Sequence, residues 1–133
     1  MKRLKASERK RPKSDFEKLR DRLDRKLSIY IRARDGRCMV CGSQENLQNG
    51  HYISRAYFMV RWDDRNCNCQ CASCNRIHEK DPEPYRQFMV DKYGDEVIQT
   101  LSQLAHSGQK LSHSDLHEIE KEIEKKLKNL PNF

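Results

Sequence analysis

Residues 37–80, RCMVCGSQENLQNGHYISRAYFMVRWDDRNCNCQCASCNRIHEK, hold all six cysteines of the chain and two of its five histidines. Four of those cysteines form two hooks, Cys38-Met-Val-Cys41 and Cys71-Ala-Ser-Cys74, separated by 29 residues. Each C-x2-C hook presents two thiolates from one tight turn. Two hooks complete the four-sulfur tetrahedron of a closed structural zinc site. Gly42 follows the first hook and eases its turn. A redox role for a single C-x2-C competes with this reading, and the second hook argues against it. The absence of a secretory signal at the basic N-terminus points to an intracellular chain, where thiols stay reduced and bind metal rather than pair.

Between the hooks, residues 49–54 and 66–71 read as two short strands, and a helix begins near Ala72. Cys67 and Cys69 share a strand face with Cys71 by period-two alternation and read as small buried hydrophobes. The loop between the strands carries an apolar stretch from Ala56 to Val60, with Trp62, which reads as local core.

Upstream, residues 1–13 (MKRLKASERKRPK) are basic, nearly without apolar residues, and expected to be disordered. Ser14 and Glu17 suggest a capping box, and Phe16, Leu19, Leu23, Leu27 and Ile31 recur at helical spacing up to Gly36. The span 14–36 is thus an amphipathic helix, with Lys18, Arg20, Arg22, Arg25 and Lys26 on its outer face. Downstream, residues 83–133 read as helices. Tyr85, Phe88 and Met89 lie on one face before Gly94, and Val97, Ile98, Leu101 and Leu104 follow before Gly108. Ser114 is the expected cap of a last helix with Leu116, Ile119, Ile123, Leu127 and Leu130. That stripe suits either packing within the chain or a dimer seam. His106, His113 and His117 read as surface residues.

The 133 residues carry a net charge of +7, unevenly placed. Residues 1–37 hold 15 Lys/Arg against 6 Asp/Glu, and residues 38–133 hold 12 against 14. A basic third on a near-neutral body suggests a polyanion partner, nucleic acid being the usual one. Only 35% of residues are hydrophobic, so a core of this size calls for a metal staple. No run of eighteen apolar residues suggests a membrane span. The expected architecture is one domain over 1–133. It is α+β and mostly helical, with a zinc-stapled core at 37–82 between an N-terminal helix and C-terminal helices.

Gly50-His51-Tyr52, Asn66 and Cys74-Asn75-Arg76-Ile77-His78 stand in fixed order around the hooks. This pattern resembles the HNH, or ββα-metal, nuclease superfamily, and Asn75 in the last slot is similar to the phage endonuclease VII type. Further stretches tighten the likeness: Leu27-Ser-Ile-Tyr-Ile-Arg-Ala-Arg-Asp35, Gly50 to Arg55, Arg61 to Asn66, Gln70 to Asn75, and Tyr85-Arg86. Together they resemble the lambda NinG (Rap) family of phage recombination proteins, over roughly residues 15–130. The resemblance implies a structure-specific endonuclease acting on D-loops and Holliday junctions, in the cytoplasm of a bacterial or phage-infected cell.

That chemistry assigns roles. His51 is the general base, since a neutral imidazole takes a proton from water near neutral pH. Asn66 fixes the loop or orients the His51 ring. Asn75 offers an oxygen to a catalytic Mg²⁺ or Mn²⁺, which stabilises charge at the scissile phosphate. The position before the base is often acidic or His in this superfamily; here it is Gly50. The missing ligand is expected from His78 first, or from Glu79, Asp63 or Asp64. Arg55, Arg61, Arg65 and Arg76, with Tyr52, are candidate phosphate contacts, as are Lys10, Arg11 and Lys13 in the arm. A homodimer through the last helix would supply two cuts at a junction. The rival reading is a non-catalytic zinc module that binds nucleic acid. A zinc-stapled interaction domain explains the last helix but not the basic N-terminus.

Overall fold

The computed structural model describes residues 11–131. Its elements are α1 (Asp15–Asp35), β1 (Leu47–His51), α2 (Phe58–Arg61), β2 (Cys67–Cys71), α3 (Ala72–His78), α4 (Glu83–Tyr93), α5 (Val97–Ala105) and α6 (His113–Lys128). This is the expected mixed, mostly helical class, with one two-stranded sheet. No helix among the described residues is long and apolar enough to cross a membrane. Lys10 and most of the expected arm lie outside the described residues. Arg11 and Lys13 pair with Glu17 and Asp21 on the first turns of α1.

α1 begins where Ser14 Oγ accepts from the Glu17 N–H at 3.1 Å. Its end is set by Gly36 at φ 70°, a left-handed conformation that favours glycine. The Glu17 carboxylate accepts from the Ser14 hydroxyl rather than from the backbone N–H that a full capping box uses. Leu19, Leu23, Leu27 and Ile31 are buried against Trp62, Cys67, Cys69, Leu116 and Ile123. Each such aliphatic side chain contributes on the order of 1.5–3 kcal/mol by leaving water.

The hairpin divides the molecule. β1 and β2 pair antiparallel, with Leu47 opposite Cys71, Asn49 opposite Cys69 and His51 opposite Cys67. Cys67 and Cys69 are buried in the cluster with α1 and α6, as alternation predicts. The opposite face carries Asn68, which donates to Tyr85 Oη at 3.2 Å, while Tyr85 donates to the Gly50 carbonyl at 2.6 Å. Tyr85 belongs to a second cluster with Val60, Met89, Val97 and Leu101. Two cores thus flank one small sheet.

Three expectations change here. The first strand is displaced from 49–54 to Leu47–His51, because the chain leaves it after His51 and turns at Ser54, whose carbonyl accepts from the Tyr57 N–H, and the second, Cys67–Cys71, is one residue shorter than 66–71. The cap of α6 is Ser112, not Ser114. Ser112 and Asp115 form a reciprocal capping box. The α6 stripe is not an open dimer seam either: Leu116 and Ile123 are buried against α1. Glu120 of α6 accepts from Arg22 at 2.6 Å and from Lys26 at 3.0 Å. Those bonds consume two of the cations expected along the outer face of α1, and Arg20 bonds Asp21. Lys18 and Arg25 make no such pair among the described residues.

Candidate functional site

The two hooks converge. The sulfurs of Cys38, Cys41, Cys71 and Cys74 all lie within 4.8 Å of one another, and Cys41 Sγ is 3.7 Å from Cys71 Sγ. A zinc–sulfur bond of about 2.3 Å gives a tetrahedron with edges of about 3.8 Å, so the cluster fits a structural zinc in size and in donor chemistry. Each hook closes in the same way: Cys41 N–H donates to Cys38 Sγ and Cys74 N–H to Cys71 Sγ, both at 3.4 Å. Burial opposes the Cys38 thiolate, but N–H groups of Cys41, Cys71 and Val40 aimed at its sulfur bring the thiol down to about 7. In the same cluster burial and then the neighbouring sulfurs push the Cys74 thiol up, so one thiolate forms readily and the four-thiolate state calls for a cation. The first hook docks on the hairpin through Met39 N–H to the Cys69 carbonyl at 2.8 Å.

Beside the cluster, α1, β1, the loop after it and α3 enclose a cleft of about 680 Å³. His51, Asn75, His78, Glu79, Gln48 and Arg55 line it. The structure thus brings together the expected base, the expected ion-binding amide and one expected phosphate contact. His51 Nε2 lies 2.8 Å from the Arg61 carbonyl. A carbonyl only accepts, so Nε2 carries the proton and Nδ1 keeps its lone pair. Burial pulls His51 below the ordinary imidazole range, against the Arg61 carbonyl and the Asp24 carboxylate, which act the other way. The ring is therefore neutral near neutral pH.

Asn66 does not touch that ring. It is wholly buried. It accepts from Ile53 N–H at 2.8 Å and donates to the carbonyls of Ile53 and Val60. Its role is to clamp the chain leaving β1 onto the end of α2. Asn75 donates to Gln48 Oε1 at 2.9 Å, so two amide side chains meet at the cleft floor. The sequence pattern does not single out Gln48. Its position two residues before Gly50, on the same strand face, is the available signal.

The position before His51 is glycine for a steric reason. A Cβ at Gly50 would collide with the Gln70 side chain. His78, expected as the replacement ligand, is turned to another use. Its Nε2 donates to the Tyr52 carbonyl at 2.7 Å and its Nδ1 is enclosed without a partner. The ring secures the turn at Tyr52 and presents no free nitrogen to the cleft. Asp63 and Asp64 are spent as well, on Arg65 and Lys126. Glu79 remains: it lines the cleft, is exposed, and stands one turn beyond Asn75.

Two arginines read as phosphate contacts are structural. Arg61 is 8% exposed. It grips the Asp24 carboxylate of α1 with Nε and Nη2, and Trp62 Nε1 donates to the same carboxylate at 2.9 Å. Arg65 is held by Asp63 in its own turn. Arg55 and Arg76 are exposed and form no ion pair among the described residues. Arg32, which sequence reasoning does not single out, lines the cleft from α1. Its signal is spacing: Arg25 and Arg32 fall two turns apart on one helix face.

The model of the bacteriophage lambda NinG protein family matches residues 1–132. The chain is 30% identical over 107 residues to Protein ninG of Escherichia phage 933W, covering 78% of this chain and 53% of that one. It is also 30% identical over 107 residues to Protein ninG of Escherichia phage lambda, covering 78% and 52%. Protein ninG of Salmonella phage P22 is 30% identical over 105 residues, covering 77% and 51%. The chain therefore spans about half the length of these curated relatives. No solved structure matches it. The family match runs through both cysteine hooks, the hairpin and every helix described above, and the chain belongs to the NinG family.

Proposed function

We propose that this chain is a metal-dependent DNA endonuclease of the HNH, or ββα-metal, type that hydrolyses phosphodiester bonds in branched recombination intermediates. The observation that carries the reading is the His51 ring. Its Nε2–H is donated to a carbonyl, which leaves a basic Nδ1 in a ring that lines the same cleft as Asn75. A histidine that served packing alone would not need a single tautomer at the edge of a 680 Å³ cleft.

In the proposed reaction His51 Nδ1 takes the proton of the attacking water, and the hydroxide adds to the scissile phosphorus as the 3′ or 5′ oxygen leaves. Asn75, Gln48 and Glu79 line the same cleft and offer hard oxygen donors, a set suited to Mg²⁺ or Mn²⁺. A divalent ion there would supply charge stabilisation at the phosphate and the leaving oxygen. Arg32 and Arg55 border the same cleft and are placed to hold the flanking phosphates. The four-cysteine cluster takes zinc and secures the hairpin. The choice of branched DNA rests on the resemblance to phage recombination proteins.

The test is cleavage of labelled four-way and D-loop DNA by the full chain, with and without Mg²⁺ or Mn²⁺. The parent cuts only with the ion, and His51→Ala binds the DNA but does not cut it. Equal cleavage by His51→Ala ends the proposal. The exposed Arg25, Arg32, Arg55 and Arg76, which form no ion pair among the described residues, fit a non-catalytic binding module equally well. Binding without cleavage by the parent under every ion would decide for that module.

A further inference from the structure

Asn66 does not touch the His51 ring; it braces the Val60 carbonyl, one residue before the carbonyl that does. The Arg61 carbonyl that accepts from Nε2 sits at the end of α2, a helix of four residues. So short a helix does not hold a carbonyl in place by its own hydrogen bonds. Cys67 Sγ reaches the same carbonyl at 3.4 Å and Asn66 holds the Val60 carbonyl before it, and the Arg61 side chain is gripped by Asp24, three turns into α1 and 37 residues away in sequence. One Asp24 oxygen accepts from Arg61 Nε at 3.0 Å and from Trp62 Nε1 at 2.9 Å, and the other accepts from Arg61 Nη2 at 2.5 Å. Arg61 Nη1 also donates to the Arg55 carbonyl at 3.1 Å, closing the loop between β1 and α2. Asp24 itself lines the cleft.

We infer that Asp24 is the positioning residue of the His51 base, acting through the Arg61–Trp62 segment to fix the carbonyl that sets the tautomer of the ring. The inference rests on the endonuclease reading for its consequence and on the geometry for its content. A bidentate arginine–carboxylate pair is planar and directional, so it fixes orientation as well as distance. A third bond from the Trp62 indole removes the remaining rotation. The base–orienter logic is that of a carboxylate holding a catalytic imidazole, here with one backbone carbonyl interposed.

Asp24 has a second effect, through space. The charged or titratable groups around His51 are Asp24 and Arg32 of α1, Tyr52 and Arg55 of the loop, and His78 and Glu79 of α3, which line the same cleft, with Arg61 of α2 bonded to it and Cys67 of β2 paired with it in the hairpin. Burial and the nearby arginines disfavour the imidazolium, and Asp24 favours it. Removing the Asp24 charge therefore lowers the pH at which His51 gains its proton, and also frees the Arg61 charge that pushes the same way.

The test uses Asp24→Asn in the full, metal-loaded chain, with ¹⁵N NMR of the His51 ring beside the cleavage profile against pH. An asparagine keeps the shape but sets an NH₂ group against Arg61. In the parent His51 is expected as the Nε2–H tautomer. In Asp24→Asn a mixture of tautomers appears, the acid limb of the rate profile moves to lower pH, and the plateau rate falls about tenfold, as misplacement of a catalytic group produces. Trp62→Phe removes one bond and leaves the Asp24 charge and the ion pair, so it moves the tautomer and the plateau rate in the same direction by less and leaves the acid limb in place; it serves if Asp24→Asn does not fold. A parent tautomer and an unmoved acid limb in a folded variant overturn the inference. The two proposals fail separately: normal cleavage by His51→Ala removes His51 as the base and with it the HNH reading, while the ring's tautomer still judges Asp24.

Discussion

The cysteine cluster and the His51 cleft are built on the same hairpin, and they differ in where their supports come from. In the cluster each hook is closed by a bond to its own first sulfur from three residues on. The hooks meet because β1 and β2 pair and the first hook docks on Cys69. The cleft draws its parts from α1, β1, the loop of Tyr52, Ser54 and Arg55, and α3, and the carbonyl bonded to His51 belongs to a residue gripped by a carboxylate 37 residues upstream. One site is local and closed on itself. The other is an assembly that exists only when separate elements have docked. The dependence between them runs one way: the cleft needs the hairpin that the hooks secure, and the hooks do not need the cleft.

The largest expected effect tests that direction. Cys41→Ser removes one of four thiolates. Structural zinc contributes on the order of 10 kcal/mol to folding in small zinc peptides, more than a domain with this small a core can spare. The variant should lose zinc, helicity and any cleavage together, read by metal analysis and circular dichroism. A folded, active Cys41→Ser would reverse the order of dependence.

The same difference explains what the sequence disclosed. A C-x2-C hook is a local object, so its spacing is visible without any fold. Ser14, Gly36 and the Leu19–Ile31 stripe are local too, and α1 appears where they place it. The Ser112–Asp115 capping box is equally local: it has the S-x-x-D signature, and Ser114 competes with it only by standing nearer the apolar stripe. Arg61 is the opposite case. As a residue type on a short apolar segment of a basic protein it reads as a phosphate contact. Only the position of Asp24 across the fold turns it inward, and no spacing rule connects residues 24 and 61. Asn68 is similar. It lies between two buried cysteines and must face the other way, yet its bonds to Arg34, Tyr85 and Tyr93 join separate elements. His78 lies on α3 as expected, but a loop carbonyl at Tyr52 takes its Nε2.

The second effect falls on the cleft alone. His51→Ala should lower cleavage by about 10²–10⁴-fold, the usual contribution of a general base. Zinc content and DNA affinity should stay close to those of the parent. Loss of zinc in this variant would show that the hooks lean on the cleft after all.

A third change loosens α1, which carries Asp24, without touching either site. Glu120 is held down to about 2 by hydrogen bonds from Arg22 and then Lys26. Its folded value lies below the ordinary 4.5, so this stabilisation is present above pH 4.5 and is lost as the pH falls from there toward 2. Glu120→Gln should cost about 2 kcal/mol near neutral pH, in the range for hydrogen bonds to a charged group. The difference from the parent should shrink as the solution is acidified through that window. Thermal melts at a series of pH values measure it. A constant gap would mean the Arg22 and Lys26 contacts are not electrostatic.

The smallest effect separates Arg32, which the sequence passes over, from Arg61, which it marks as a phosphate contact. Arg32 is exposed at the edge of the cleft and donates to the carbonyl of Ser28. Arg61 is buried and committed to Asp24. If Arg32 meets a phosphate, Arg32→Ala should reduce the slope of log affinity against log salt by about 0.9 on duplex arms, with melting temperature and zinc content unchanged. Arg61→Ala should leave the slope where it is, because that guanidinium neutralises Asp24 and not the DNA. It should instead lower the melting temperature, since a half-buried carboxylate is left without its partner. Removing the arm at residues 1–13 should reduce the slope further, by about 0.9 for each phosphate that the arm had neutralised, while cleavage persists. Filter binding at a series of salt concentrations distinguishes the arginines. A slope that responds to Arg61 and not to Arg32 would place the DNA on the far side of α2 and move the proposed substrate path out of the cleft.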